Sequence, residues 1–342
     1  MSKSLIIIIL LFMFSVSTSK ACNDIALSFL GKKEMDEVYV KVNMSKTKKE
    51  KITVLENLAE EYMSFNKFDY AISVYNEILK LKWISKKQRF KYYVKLGDIY
   101  AIKRNYVFSI ENYKKALSLY KKDIYVRIKI GDMFLKSRLY DLAENAFIEA
   151  LKIDKNSNAV KKGLGDVFYE QDFYSKAVNY YNKIEYKDYD KETIIKVATC
   201  YQNLNKIDEA INILKIFAKP EETELIFFMG LLYMDKSEYN KAKALFLSLI
   251  ENGVKNFKLC IYLAYIYDLQ GENEQAKKMF DEVFKMNPSC AVVNYILAEI
   301  NYKMGNLNES KKYAKKAYSK ANTIFMKAQT QKLIKFLNER AS

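Results

Sequence analysis

Residues 163–184 read GLGDVFYEQDFYSKAVNYYNKI, and the two glycines one residue apart, Gly163 and Gly165, pose the question that decides the fold. A loop that cradles a phosphate would follow a strand and expose a run of backbone amides. Close helix packing would instead repeat small residues at a fixed period. The stretch is not alone: LGDIY occupies 96–100, IGDMF 130–134 and LGDVF 164–168. Gly97, Gly131 and Gly165 therefore stand 34 residues apart each time, followed twelve residues on by Ser109, Ala143 and Ala177. Four residues further come Tyr113, Phe147 and Tyr181. Repetition of this kind assigns both glycines to helix packing and leaves the nucleotide loop without its strand.

Composition agrees. The 342 residues include only two prolines, Pro220 and Pro288, and nine glycines, which strands and long loops would use more freely, so the chain reads as all-helical. Half of the residues are apolar, ample for a core. There is no histidine, which removes the commonest general base, the histidine-activated nucleophiles and imidazole metal sites. The formal charge of +16 rests on lysine, with arginine only at Arg89, Arg104, Arg127, Arg138 and Arg340. Nucleic-acid recognition leans on the arginine fork, and the lysines are interleaved with 41 acids, so the pattern reads as a solvated surface. Four cysteines are too few for a disulfide framework; Cys200, Cys260 and Cys290 fall in helical patterns, and a Cys260–Cys290 bridge stays open.

The N-terminus begins MSKSLIIIILLFMFSVSTSKACND. Lys3, an apolar run from Leu5 to Val16 and a small-residue end at Ala21 make the pattern of a secretory signal over 1–21, too short to span a bilayer. Three readings stay open: ordinary cleavage, lipidation of Cys22 as in bacterial lipoproteins, and an uncleaved anchor. Ser19 and Lys20 depart from the usual lipoprotein motif. The expected location is outside the cytoplasm, in the periplasm or cell envelope.

The register extends along most of the chain. The first small positions are Ala59, Gly97, Gly131, Gly165, Ala198, Gly230, Ala264 and Ala298. Aromatics follow three residues later at Tyr62, Tyr100, Phe134, Phe168, Tyr201, Tyr233 and Tyr267, with Asn301 departing in the eighth. The second small positions are Ala71, Ser109, Ala143, Ala177, Ala210, Ala242, Ala276 and Ser310. This resembles the tetratricopeptide repeat, with its small and aromatic residues on one helix and its alanine and aromatic on the next. The resemblance implies an all-α solenoid of about eight stacked antiparallel helix pairs over residues 51–320. A capping helix is expected over 321–342, and 22–50 is left as a cap, arm or linker. The first two repeats are 38 residues apart, which implies a longer loop near Trp83; the spacings into the fifth and sixth repeats shorten to 33 and 32.

The resemblance also implies a superhelix whose first helices line a concave groove that grips an extended peptide or partner helix. Two zones of that groove follow from the register. One is a carboxylate ladder, Glu60, Asp98, Asp132 and Asp166. The other is apolar and aromatic: Phe227, Leu231, Met234, Ile261, Tyr265, Tyr295 and Tyr302. Each zone has a second reading, the ladder as family consensus and the apolar stretch as core between repeats. A partner with a basic segment would complement the ladder. Chaperone clamps of this family use Lys and Asn where this chain has Glu56 and Glu60, so an acidic chaperone tail is not the expected partner. The expected function is a non-catalytic protein- or peptide-binding scaffold, without cofactor, metal or catalytic residues. The alternative is an envelope-associated binder of anionic polymer or lipid headgroups through lysines on the convex face.

Overall fold

The computed structural model describes residues 47–254 and 256–340. The signal segment, Cys22 and residues 22–46 lie outside them. Among the described residues there are seventeen α-helices and no strand. In chain order they are α1 Lys48–Ser64, α2 Phe68–Lys80, α3 Lys86–Ile102, α4 Tyr106–Leu119, α5 Ile124–Lys136 and α6 Tyr140–Ile153. Next come α7 Asn158–Tyr169, α8 Tyr174–Tyr181, α9 Lys191–Asn203, α10 Ile207–Phe217, α11 Thr223–Asp235 and α12 Tyr239–Glu251. The last are α13 Phe257–Leu269, α14 Asn273–Met286, α15 Ala291–Lys303, α16 Leu307–Lys320 and α17 Ile324–Glu339. Successive helices pair as the repeat requires, giving an all-α solenoid. The chain divides into two compact units, one ending at Val167 and the other beginning at Phe168.

In the first unit, a Cβ built on Gly97 would lie 2.4 Å from the Tyr113 ring, and one on Gly131 would lie 2.7 Å from the Phe147 ring. The small residue thus makes room for the aromatic sixteen positions later on its partner helix. Ser109 adds a tie at this crossing, its hydroxyl donating to the Gly97 carbonyl at 2.8 Å. Gly163 does something different. Its Cβ would stand 2.4 Å from Phe147, the aromatic of the preceding pair. Phe147, fully buried, is therefore pressed between Gly131 of its own pair and Gly163 of the next. Both opening glycines are buried, as packing demands. In the second unit the same device recurs between Gly230 and Phe246 and, as a hydroxyl tie, between Ser310 and the Ala298 carbonyl at 2.7 Å.

The first helix of every pair ends the same way. The residue seven positions after the first small residue is left-handed in all eight pairs: Asn66, Arg104, Arg138, Asp172, Asn205, Ser237, Gly271 and Gly305. The next amide then donates back to the carbonyl five residues earlier, as Leu139 does to Phe134 at 2.9 Å and Asn105 to Tyr100 at 2.8 Å. This is the Schellman stop, which satisfies the last carbonyls of the helix. Glycine fills it in only the last two pairs; an L-residue there costs roughly 1–2 kcal/mol, least for Asn or Asp.

One expectation is corrected. The four residues by which the first two repeats exceed the period do not lengthen the loop at Trp83, which spans only 81–85. They lie at the start of α3, which has 17 residues where α5 has 13. Ser85 and Gln88 form a capping box that starts α3 early, and four residues are close to one helical turn, so the packing face keeps its register. Arg89 then donates to the Leu79 and Leu81 carbonyls, each at 3.0 Å, and pins the end of α2. The shortened spacing into the fifth repeat follows α8, which stops after eight residues. A 3₁₀ turn at Tyr186–Asp188 replaces its end, and Tyr189 folds back to donate to the Tyr181 carbonyl at 3.0 Å.

At the C-terminus Thr323 caps α17, which packs Leu337 against Ala298 and Ala314. Cys200, Cys260 and Cys290 are free thiols, so the bridge left open by the sequence is not formed. No helix among the described residues is long and apolar enough to cross a membrane.

Candidate functional site: the faces of the first helices

The ladder residues stand on successive first helices, and the structure shows what holds each of them. In the first pair, Glu60 accepts from the Tyr75 hydroxyl at 3.2 Å and from Lys95 at 2.9 Å. The Lys95 hydrogen bond is the main reason its carboxyl is held below the usual range. One turn earlier, Glu56 accepts from Lys91 at 2.5 Å and from Tyr92 at 2.9 Å. In the second pair, Asp98 accepts from the Tyr113 hydroxyl at 2.7 Å and faces Lys129 at 3.3 Å. The pattern is regular: a tyrosine buried in the pair donates from below, and a lysine of the next pair covers the carboxylate. Glu60 and Asp98 are thus neutralised from within the chain.

Asp132 breaks the pattern. The aromatic of its pair is Phe147, which has no hydroxyl to offer. Burial, which outweighs the nearby charges of Lys136, Lys129 and Lys162, pushes its carboxyl up to about 6, with Asp166 adding to the rise. Asp166, at the end of the first unit, has partners of its own. The sign follows from linkage: a carboxyl whose folded pKa is raised holds its proton more tightly in the fold than in the open chain. Stability therefore falls as pH rises from about 4 to about 6 and is flat above. Asp132→Asn is expected to match wild type near pH 4 and to exceed it by roughly 3 kcal/mol at pH 7. Thermal melts of both proteins across this range check it; a constant gap would show that burial of the charge is not the cause.

The apolar zone divides. Phe227 is committed to packing, its ring 5.5 Å from Phe246 and 5.8 Å from Tyr262. Leu231 and Met234 are likewise half-buried against the main cluster of the second unit, and Ile261 against the next cluster. Tyr265, by contrast, is 47% exposed. Tyr295 is half-buried, its hydroxyl pushed up to about 12 by burial and by Glu299. The Tyr302 ring meets Phe336 of α17 edge-on at 5.1 Å.

Two hollows open on these faces. In the first unit a groove of about 480 Å³ runs along α3, lined by Phe90, Lys91, Val94, Lys95 and Asp98, with Tyr125 of α5 as its wall. In the second, about 510 Å³ lies between α15 and α17, lined by Tyr295, Glu299, Tyr302, Gln329, Leu333 and Phe336. Sequence reasoning missed Phe90, Tyr125 and the α17 wall. It also missed the covering lysines, although Lys91 and Lys95 stand 35 residues after Glu56 and Glu60, one more than the period. Among the described residues no group of three or more Cys, Asp or Glu side chains is placed to hold a metal ion.

The comparisons with known proteins bear on this architecture. A tetratricopeptide repeat profile matches residues 257–290 and 291–319, which are the seventh and eighth pairs. The C-terminal part of a TPR repeat-containing protein from Cytophaga hutchinsonii superposes with a TM-score of 0.57, at 17% identity, over 68% of this chain and 95% of that one. Residues 257–319 are tetratricopeptide repeats, and the chain has the solenoid fold of that family. A tetratricopeptide repeat protein from Parabacteroides merdae is similar at a TM-score of 0.49 and 16% identity, covering 73% of this chain and 99% of its own. YrrB, described as a TPR protein with an unusual peptide-binding site, gives 0.45 and 18%, over 52% and 92%. No curated protein sequence matches significantly. Likeness at such identities speaks to fold, and the function has to be argued from this chain's own side chains.

Proposed function

We propose that this protein is a non-catalytic scaffold of the cell envelope that holds a protein or extended peptide against the faces of its first helices. The observation that carries the reading is that each hollow described above opens on a first helix and has an aromatic wall, with Tyr125 of the first of them 52% exposed. Open, aromatic-walled surfaces on a rigid frame suit peptide side chains better than they suit a reaction, which needs enclosure and opposed acid and base groups. Asp132, the ladder carboxylate without a tyrosine beneath it, would take a basic residue of the partner. The export signal supports the envelope location, and Cys22 is the place for a lipid anchor.

The test is crosslinked capture from the native host with the full chain and three variants at exposed or half-buried positions, Tyr125→Ser, Asp132→Lys and Tyr265→Ser. Loss of a specific captured protein by at least about tenfold in Tyr125→Ser and Asp132→Lys, with melting temperature retained, is the expected result. Loss with Tyr265→Ser alone would shift the contact to the second unit. Capture indifferent to all three would end the groove reading.

A further inference from the structure

We propose that the turn edge of the first three pairs is a surface built to lie on an anionic lipid bilayer. Six large apolar side chains stand exposed there on consecutive turns: Phe65, Ile102, Val107, Phe108, Leu139 and Leu142, from 47% to 75% exposed. They belong to the tips where α1 meets α2, α3 meets α4 and α5 meets α6. Asp69 of the first tip, paired with Lys103 of the second, shows these tips to be neighbours. The Schellman stop works through the backbone and does not call for them; Phe108 alone has a ring partner, stacked on Tyr100 at 5.3 Å.

Cations sit between them. Lys67, Arg104, Lys136 and Arg138 belong to the same tips, against one carboxylate, Asp141, besides the Asp69 already bound. The two arginines are telling. The chain has only five, and two of them occupy equivalent left-handed positions at φ 57°, where the first, fifth, seventh and eighth pairs use Asn or Gly. Arginine is a poor choice for that backbone, and strain kept at a surface position points to a use. Both are exposed, and no hydrogen bond or ion pair within the described residues engages either guanidinium. In the sixth and seventh pairs the residue after the left-handed one is an acid, Glu238 or Glu272, bound by Lys236 and Lys241 or by Lys243. Those two tips are neutralised where Arg104 and Arg138 are not.

The shape chooses the occupant. The side chains project from tips about 10 Å apart, the spacing of packed helices. They project outward without enclosing a cavity, so they suit an extended surface better than a single ligand. Exposed aliphatic and aromatic groups flanked by Lys and Arg are what an interfacial protein presents to acyl chains and anionic headgroups. This moves the headgroup-binding reading from the convex lysines to the turn edge, and it is independent of the groove.

The experiment uses the full chain carrying V107W, with vesicles of phosphatidylcholine and phosphatidylglycerol in equal parts whose acyl chains are brominated. The wild-type chain, whose single tryptophan, Trp83, packs against the first core cluster, is the control. The V107W indole is expected to be quenched by the anionic vesicles and not by phosphatidylcholine alone, with Trp83 unaffected. Adding R104N and R138N, which suit the left-handed backbone and so preserve the fold, should raise the lipid needed for half-quenching by about 30-fold. An N-terminal anchor would tether the chain without burying this indole. Absence of quenching, equal quenching by neutral vesicles, or indifference to the arginine changes would overturn the proposal. So would self-association abolished by L139S and L142S without quenching, which would give the edge to a second copy of the chain.

Discussion

Phe147→Ala is expected to cost about 3–5 kcal/mol, the usual range for truncating a fully buried aromatic. Its ring has no solvent exposure and fills the space between two glycines that offer no side chain of their own. Neither Gly131 nor Gly163 can close the resulting cavity, which places the cost toward the upper end. Because neighbouring pairs in a solenoid stabilise each other locally, the loss should appear first as faster hydrogen exchange in α5, α6 and α7. Denaturant unfolding and exchange measured together check this; a loss below about 1 kcal/mol would mean that the helices collapse onto the space, contrary to the packing described.

Gly163→Val should do comparable harm from the opposite direction. A Cβ at 163 would stand 2.4 Å from Phe147, and the ring cannot retreat because Gly131 already receives it on the other side, with its own Cβ position 2.7 Å away. Overpacking typically costs about 1–3 kcal/mol, and a trapped ring puts this site at or above the top of that range. Phe147→Leu, which shortens the obstacle, should recover part of the loss. A double-mutant cycle is expected to give a coupling of at least about 1 kcal/mol between the two positions. Strict additivity would show that Gly163 serves some other purpose, such as helix geometry, and would remove the sandwich as the reason for the glycine.

These two residues also show how much was legible beforehand. The spacing of small and aromatic residues identified the helix pairs and gave the glycines to packing, because each pair must solve the same steric problem at the same register. Which aromatic meets Gly163 was not legible. Sequence order suggests its own pair, and the ring that arrives comes from the pair before. The loop expected at Trp83 failed for a related reason: four inserted residues make a loop or a helical turn with equal ease on paper. The capping box at Ser85 and Gln88, together with the hold of Arg89 on α2, decides for the turn.

The candidate site divides along the same line. Composition and register by themselves determined an all-helical repeat array, removed histidine chemistry, and placed Glu60, Asp98, Asp132 and Asp166 on successive first helices. Those conclusions need only periodicity and residue type, which are properties of the linear chain. Only the tertiary structure decided that Tyr75 and Tyr113 donate to the ladder and that lysines of the following pair cover it. It alone distinguished Asp132 by the missing hydroxyl of Phe147, and sent Phe227 to the core and Tyr265 to solvent. Charge compensation, burial and exposure are set by side chains on other helices, fifteen residues away for the tyrosines and more than thirty for the lysines, whose contacts spacing along the chain does not give.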